Sequence, residues 1–275
     1  MKEKIILITG VTTGFGQKAL ELLAKNGHKV YGTTRNRDKY YSMNKEIPGS
    51  TILEVDITDD SSIETAVNTI KKKEGHIDVL VNNAGYGLFG SIEETSIEEA
   101  LQQFDINFFS VMRMIKAVLP SMRQETSGLI VNVSSLAGIM PVPFQGFYTA
   151  SKFALEGLSE TLRMEVKKFN VKVVLLEPGD FNTGFTDNRT MIKNLSDQSS
   201  YASTTKEILV NAEKSERCGS HPEEVAALLN KIIHKKKPAF RYPVGSFDQI
   251  ISVFIKRLVP QRLFEILIDR YFNMK

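Results

Sequence analysis

The first 27 residues carry the feature that most constrains the fold of this chain: an apolar run, a glycine-rich turn and an amphipathic helix in direct succession. Residues 5–9 are rich in β-branched side chains, and the turn after them holds Gly10, Gly14 and Gly16. Glycines let the backbone come close to a pyrophosphate, and the N-terminus of the following helix attracts its charge. This succession predicts the opening of a dinucleotide-binding fold.

Strand-like apolar runs and helix-like amphipathic runs alternate along most of the 275 residues. This alternation predicts an α/β fold, a single Rossmann-type, doubly wound parallel sheet with helices on both faces. We expect 1–275 to form one dinucleotide-binding domain. Within it, residues 184–219 have no strong periodicity and are predicted to form a lid over a substrate.

The C-terminal segment 247–275 is an amphipathic tail, for which the sequence predicts two short helices broken near Pro260. Its stripe of aromatic and aliphatic residues has alternative uses that the sequence leaves open. The tail packs on the parent domain or covers the substrate pocket, contacts another subunit, or makes peripheral contact with a membrane surface.

Composition excludes several classes of function. Hydrophobic residues make up 42% of the chain and charged residues 24%, with a net charge of +3, which is ordinary for a globular protein. No stretch combines a basic cluster with aromatic residues, so no nucleic-acid binding is expected. No uncharged apolar run reaches the roughly eighteen residues of a membrane span, and the N-terminal run is too short for a signal peptide. The single cysteine, Cys218, fits a reducing, cytoplasmic location, and no metal site is predicted.

Tyr148 and Lys152 stand four residues apart at the start of a helix-like run, so they share one helix face. A positive charge beside a phenol favours the phenolate and brings the group toward the range of a general acid or base. The apolar run 128–133 just upstream predicts a buried parallel strand that ends at Ser134 and Ser135. A hydroxyl there can bind the oxygen on which the phenol acts.

This order of serine, tyrosine and lysine resembles the short-chain dehydrogenase/reductase (SDR) family. The family serine lies thirteen residues before the tyrosine, which selects Ser135 and leaves Ser134 as a structural hydroxyl. The resemblance implies reversible hydride transfer between a nicotinamide and a carbonyl carbon. It implies that Tyr148 is the general acid/base, that Ser135 orients the substrate oxygen, and that Lys152 lowers the phenol pKa and binds the nicotinamide ribose.

Asn107 lies in an apolar stretch of a long helix predicted over 96–122 and ended by Pro120. A buried amide needs hydrogen-bond partners, so composition alone favours a satisfied core amide. The resemblance implies instead that Asn107 is catalytic: it bends the helix and holds a water beside Lys152 on a proton path.

The resemblance also assigns the cofactor contacts. The glycine spacing G-x-x-x-G-x-G matches the family pattern, and the Asn-Asn-Ala-Gly tetrad at 82–85 stabilises the sheet and follows the cofactor. Asp56 is assigned to the adenine, although capping of the next helix is an alternative, and Thr183 is assigned to the nicotinamide carboxamide. The implied cofactor-binding residues are Gly10, Thr12, Thr13, Gly14, Phe15, Gly16, Thr34, Arg35, Asp56, Ile57, Asn83, Ala84, Gly85, Tyr148, Lys152, Pro178, Gly179, Phe181 and Thr183.

The end of the second predicted strand, 29–34, indicates which nicotinamide cofactor is preferred. NAD-preferring enzymes of this fold place an acidic residue there for the ribose 2′-hydroxyl. This chain has Thr34 and Arg35, with Arg37 nearby. Because a guanidinium suits a 2′-phosphate, we predict NADP(H), with NAD(H) as the alternative if both arginines serve only to solubilise the loop.

Apolar side chains between the serine and the tyrosine predict a lipophilic ketone, aldehyde or alcohol, steroid-, retinoid- or acyl-like. The helix after Tyr148 and the lipophilic tail most resemble the 17β-hydroxysteroid and retinol dehydrogenase group, and the resemblance implies a homodimer or homotetramer. Two alternatives remain. Extended epimerases and dehydratases share the Tyr-x-x-x-Lys motif but differ in glycine spacing, and a catalytically silent cofactor sensor or scaffold typically loses the tyrosine or the lysine.

Overall fold

The computed structural model describes residues 2–272. Nine strands are found among these residues: β1 (Ile5–Thr9), β2 (Lys29–Thr34), β3 (Ser50–Glu54), β4 (Val79–Asn82), β5 (Leu88–Phe89), β6 (Gly128–Val133), β7 (Val171–Pro178), β8 (Thr190–Met191) and β9 (Arg241–Val244). Seven of them form one sheet in the order β3-β2-β1-β4-β6-β7-β9, and every pairing in it is parallel. Strands β5 and β8 form a separate two-stranded sheet.

Helices cover both faces of the large sheet. They are α1 (Gly14–Lys25), α2 (Arg37–Met43), α3 (Asp60–Glu74), α4 (Ile97–Phe104), α5 (Ser110–Gln124), α6 (Gly146–Glu165), α7 (Ala202–Arg217), α8 (Pro222–Ile233), α9 (Phe247–Leu258) and α10 (Gln261–Phe272). Alternate residues of β1 point to opposite faces. Ile6 and Ile8 pack with α1 and α8, whereas Ile5 and Leu7 pack with α3, α5 and α6. The predicted doubly wound parallel sheet is confirmed.

The chain direction across the sheet reverses between β1 and β4. After β1 the chain adds β2 and β3 on one side, and then returns to place β4, β6 and β7 on the other. In an open parallel sheet such a reversal leaves a crevice beyond the carboxyl ends of the two central strands, where ligands bind.

The single helix predicted over 96–122 is wrong in two respects. The segment is α4, then a π-helical turn over Asp105–Phe109, then α5, which continues to Gln124. Pro120 lies inside α5 and does not end it. A proline interrupts the helical hydrogen bonds at a cost of about 3 kcal/mol, but Val118 and Met122 are fully buried on either side and hold the helix together.

Residues 184–219 contain more regular structure than their sequence suggested. Strand β8 and the 16-residue helix α7 both lie in this range. The buried face of α7 includes Thr205 and Glu216 as well as Ala202 and Ile208. A helix is recognised in a sequence by the regular spacing of its hydrophobic residues. In α7 polar residues occupy some of the buried positions, so this spacing is not apparent.

The tail folds as the two predicted helices, α9 and α10, with Pro260 between them. Its side chains contact the domain: Lys256 Nζ donates a hydrogen bond to the Ile139 carbonyl, and Ser252 Oγ lies 3.3 Å from Met140 Sδ. Among residues 2–272, no helix has the length and apolar character required to cross a membrane.

Candidate active site

A cavity of about 1520 Å³ lies at the carboxyl ends of the central strands. Gly10 follows β1, Ala84 follows β4, Ser135 follows β6 and Gly179 follows β7, and all four line its wall. The cavity therefore occupies the crevice that the strand order creates.

The predicted serine, tyrosine and lysine are brought together beside the end of β6. Tyr148, on the first turn of α6, and Ser135 both line the cavity. Ser135 Oγ accepts a hydrogen bond from the Ala137 N–H at 3.1 Å. One helical turn after Tyr148, Lys152 Nζ lies 5.8 Å from the phenol ring centroid and donates a hydrogen bond to the Val133 carbonyl at 2.9 Å.

Burial dominates the electrostatics of the tyrosine and the lysine. It raises the pKa of Tyr148 to about 12, although the Ser135 hydroxyl acts in the opposite direction. Burial also lowers the pKa of Lys152 to about 8. The predicted lowering of the phenol pKa by Lys152 is therefore not found in this structure. The physical reason is that the ammonium is itself disfavoured by burial and is bound to the Val133 carbonyl rather than to the phenol oxygen.

Asn107 lies in the π-helical turn between α4 and α5. Its Oδ1 accepts a hydrogen bond from the Tyr86 N–H at 3.1 Å, and its Nδ2 donates to the Tyr86 carbonyl at 2.9 Å. Asn107 is thus the satisfied core amide that composition favoured. It also stands near the lysine, because a Cβ at Gly85 would lie 3.1 Å from Asn107 Oδ1 and 3.9 Å from Lys152 Nζ.

The glycine turn has the open backbone that a pyrophosphate requires. Gly10 and Gly14 adopt left-handed φ angles of 71° and 63°, and both line the cavity. Gly16 does not line the cavity. A Cβ at this position would collide with the Gly10 carbonyl and the Asn83 amide. Its absent side chain instead allows α1 to pack closely on the turn. Thr183 faces Gly14 across the cavity, 3.4 Å from where a Gly14 Cβ would lie.

The asparagine tetrad holds the glycine turn and the sheet together. Asn83 Nδ2 donates hydrogen bonds to the carbonyls of Thr9 and Gly10, both at 2.9 Å. Asn82 Nδ2 donates to Asn132 Oδ1 at 2.8 Å, which joins β4 to β6 inside the core. These contacts leave the backbone of Ala84 and Gly85 along the cavity wall.

The far end of the cavity carries positive charge. Arg35 is exposed and lines it, and Thr34 Oγ1 lies 3.0 Å from Thr12 Oγ1 beside it. Arg37 does not line the cavity, and its backbone N–H donates a hydrogen bond to Glu54. Lys39, in the first turn of α2, lines the cavity and was missed from the sequence.

Asp56 lines the cavity, as does Ile57. Asp56 Oδ1 accepts hydrogen bonds from the Thr58 N–H at 2.9 Å and the Thr58 hydroxyl at 2.7 Å, and these bonds lower the pKa of the Asp56 carboxyl. The alternative that Asp56 caps the next helix is wrong, because Asp59 is the N-cap of α3. The remaining predicted cofactor residues that line the cavity are Thr13, Phe15, Asn83, Pro178 and Phe181.

With this geometry established, comparison with known proteins identifies the family. The family model for short chain dehydrogenases matches residues 4–193. This chain belongs to the short-chain dehydrogenase family. It is accordingly an oxidoreductase that interconverts alcohol and carbonyl groups with a nicotinamide cofactor.

Three similar proteins cover nearly the whole chain. A 3-ketodihydrosphingosine reductase from Bacteroides thetaiotaomicron is 43% identical over 265 residues, which span 96% of each chain. Bovine retinol dehydrogenase 8 is 34% identical and covers 86% of this chain and 80% of its own. The crystal structure of a short-chain dehydrogenase from Streptomyces avermitilis superposes with a TM-score of 0.83 at 30% identity, covering 94% of this chain and 92% of that one.

Several cavity residues outside the family motifs were missed from the sequence. Asp180 directly follows the Pro-Gly turn, and its position was the only available signal. Ser215 and Glu216 come from α7, and Gln249 from α9, so their approach to the cavity depends on how the lid segment and the tail fold back. Ser134 also lines the cavity, and its hydroxyl is buried against Gly138 without a hydrogen-bond partner among residues 2–272, so its expected structural role stays a prediction.

Proposed function

We propose that this protein is an NADPH-dependent reductase of long-chain keto lipids, with a 3-keto sphingoid base such as 3-ketodihydrosphingosine as its substrate. The observation that carries the reaction type is the convergence of the Tyr148 phenol and the Ser135 hydroxyl on one cavity, with Lys152 directly behind the tyrosine. The substrate class rests on the reductase that is 43% identical along 96% of both chains. Together these two observations narrow the predicted substrate from a lipophilic carbonyl compound in general to a long-chain keto lipid.

We write the reaction in the direction of reduction, in which Tyr148 acts as the proton donor. Burial raises the pKa of Tyr148 to about 12, so the phenol carries the proton at neutral pH that reduction of a carbonyl requires. The nicotinamide, when bound, supplies the hydride to the carbonyl carbon. Ser135 donates a hydrogen bond to the substrate oxygen, and Tyr148 transfers its proton to that oxygen as the alcohol forms. Lys152, behind Tyr148, returns a proton to it, and Asn107 supports this path by holding a water beside the lysine.

Cofactor preference follows from the charge at the adenosine end of the cavity. Arg35 and Lys39 both line this end, and Thr34 occupies the end of β2, where NAD-preferring enzymes carry an acid. Two cations beside a ribose suit a 2′-phosphate, which supports NADP(H) over NAD(H).

A lid and the tail complete a lipophilic pocket. We propose that residues 184–219 and the described part of the tail, 247–272, cover the substrate, because both contribute to the cavity wall. Their apolar contributors, together with those of the loop before Tyr148, suit an aliphatic chain. They are Leu136, Met140, Val142, Phe185, Ile255, Phe264, Leu267 and Ile268. Exposed Leu263 and Ile266 on α10 support the further proposal of peripheral membrane contact, through which a lipid substrate would enter.

We also propose a homo-oligomer, assembled through α4, α5 and α6. Leu101 on α4 is 60% exposed, Phe109 in the π-helical turn before α5 is 42% exposed, and Phe153 on α6 is 40% exposed. They form apolar surface that a second copy can bury. Light scattering of the purified protein tests this. The exposed Cys218 is the only cysteine, which supports the proposed cytoplasmic location.

The decisive test is an assay of NADPH oxidation against 3-ketodihydrosphingosine, a steroid ketone and retinal, with NADH as the cofactor control. The proposal predicts turnover of the keto sphingoid base with NADPH and much weaker turnover of the other two carbonyls. Preference for the steroid or for retinal would refute the substrate class. Tight NADPH binding without turnover of any carbonyl would favour the sensor or scaffold alternative.

A further inference from the structure

The wall of the cavity beside β7 carries a carboxylate that the reaction itself does not need. Asp180 directly follows Gly179 and lines the cavity. Its Oδ2 accepts hydrogen bonds from Ser215 Oγ at 2.5 Å and from Gln249 Nε2 at 2.7 Å, and its N–H donates to Gln249 Oε1 at 3.1 Å. One donor belongs to lid helix α7 and the other to tail helix α9. The carboxylate is therefore held rigidly by the two segments proposed to cover the substrate.

Negative charge is in excess around Asp180. Glu216 beside it pairs with Arg189 and accepts a hydrogen bond from Thr186. The ion pairs among residues 2–272 give Asp180 no cationic partner of its own, so two carboxylates stand against the one guanidinium. Asp248 adds further negative charge nearby. Burying a charge without a partner is costly, and a cation carried by the ligand would remove that cost.

The carboxylate also lies close to the reacting atoms. Ser135 Oγ is 3.4 Å from the Pro178 carbonyl oxygen, and Asp180 follows Pro178 by two residues, which span at most about 7 Å. The charges of Asp180 and Glu216 reach the phenol of Tyr148 and raise its pKa. Asp180 therefore shares the wall of this cavity with Ser135 and Tyr148, beside the place where a carbonyl would react.

We propose that Asp180 binds an ammonium group on the carbon adjacent to the reacting ketone, so that the enzyme selects 2-amino ketones over neutral ketones of the same length. This inference rests on the proposed function, because a keto sphingoid base carries its amino group at that carbon. The Asp180 carboxylate accepts a charge-assisted hydrogen bond from the ammonium. Gln249 and Ser215 keep the carboxylate aimed at it.

The test compares two substrates and two variants in the presence of NADPH. The substrates are 3-ketodihydrosphingosine and its desamino counterpart, in which hydrogen replaces the amino group. The variants are Asp180→Asn, which keeps the size and the hydrogen-bond acceptor, and Asp197→Asn, which removes a charge from an exposed ion pair in the same lid segment. We expect Asp180→Asn to raise KM for the amino ketone by about 10- to 100-fold. The KM of Asp180→Asn for the desamino ketone should stay at the wild-type value. Asp197→Asn should have wild-type KM for both ketones.

Two results would overturn the inference while leaving the proposed function intact. One is a wild-type enzyme that reduces both ketones with equal kcat/KM. The other is an Asp180→Asn variant that loses both activities to the same degree, which would make Asp180 a structural residue.

A binding experiment tests this inference independently of the proposed function. Calorimetry on the NADPH complex compares a long-chain primary alkylamine with the alcohol of equal length. Tighter binding of the amine, lost in Asp180→Asn, supports the inference even if neither ketone is turned over. Equal affinity for amine and alcohol contradicts it.

Discussion

Replacing Lys152 by methionine should stabilise the fold while destroying activity, because the lysine is held where its charge is unfavourable. Lys152 is only 6% exposed, and burial lowers its pKa from 10.5 to about 8. At pH 7 this difference corresponds to about 3 kcal/mol by which the charged lysine opposes folding. Methionine has a similar length and no charge, but it leaves the Val133 carbonyl without its donor, which costs about 1 kcal/mol.

The net gain is about 2 kcal/mol at pH 7, which corresponds to a rise in Tm of about 4–8 °C. The sign of the pH dependence follows from the lowered pKa. Between about 8 and 10.5 the unfolded chain binds the proton and the folded chain does not, so wild-type stability rises with pH in this window. The advantage of Lys152→Met should therefore be complete below pH 8 and disappear above pH 10.5.

Urea unfolding without cofactor at pH 7 and at pH 10 measures this difference. Lys116→Met is the matched control, since Lys116 is exposed on α5 and its replacement should change little at either pH. A Lys152→Met protein that is less stable than wild type at pH 7, or whose advantage does not fall with pH, would refute the reasoning. It would mean that the lysine is stabilised by contacts rather than penalised by burial.

Two further predictions concern the cofactor half of the cavity. Arg35→Glu should raise KM for NADPH by about 10- to 100-fold and affect NADH little, because it replaces by an anion the cation that we propose binds the 2′-phosphate. Arg37→Glu, off the cavity, is the control. Equal effects on both cofactors in steady-state kinetics would contradict the assignment. Gly16→Ala should abolish NADPH binding in calorimetry and lower Tm, because its Cβ would collide with the Gly10 carbonyl. Gly157→Ala is the control: a Cβ there meets nothing within 4 Å, so the free energy of unfolding should rise by about 0.5–1 kcal/mol. Normal cofactor binding by Gly16→Ala would show that the turn tolerates a wider approach of α1.

The sequence predicted the parts of the structure that depend on local patterns. The apolar runs around Ile6 and Leu80 identify the strands because both faces of the sheet are covered by helices. The glycine turn and the Tyr148–Lys152 spacing identify the cavity because strand ends and helix faces are fixed by short-range geometry. Pro260 likewise predicted the break between α9 and α10.

The rest depends on tertiary contacts that no local pattern records. Helix α7 was missed because Thr205 and Glu216 are polar residues at buried positions, and Glu216 is paired with Arg189 and Thr186, which lie far from it in the sequence. Helix α5 continues past Pro120 because packing outweighs the proline penalty. The protonation of the site is non-local as well. The Tyr148 pKa responds to burial and to the distant charges of Asp180 and Glu216, and a four-residue spacing to Lys152 cannot report these effects.

The central claim, that the Tyr148 phenol donates a proton to a carbonyl oxygen in this cavity, is tested most directly by the hydride-transfer rate of Tyr148→Phe. Rapid mixing of the NADPH complex with saturating 3-ketodihydrosphingosine measures that rate, and fluorescence titration measures NADPH affinity. The account predicts a rate about 10²–10⁴-fold below wild type with unchanged NADPH affinity. A Tyr148→Phe protein that transfers hydride at the wild-type rate would contradict it.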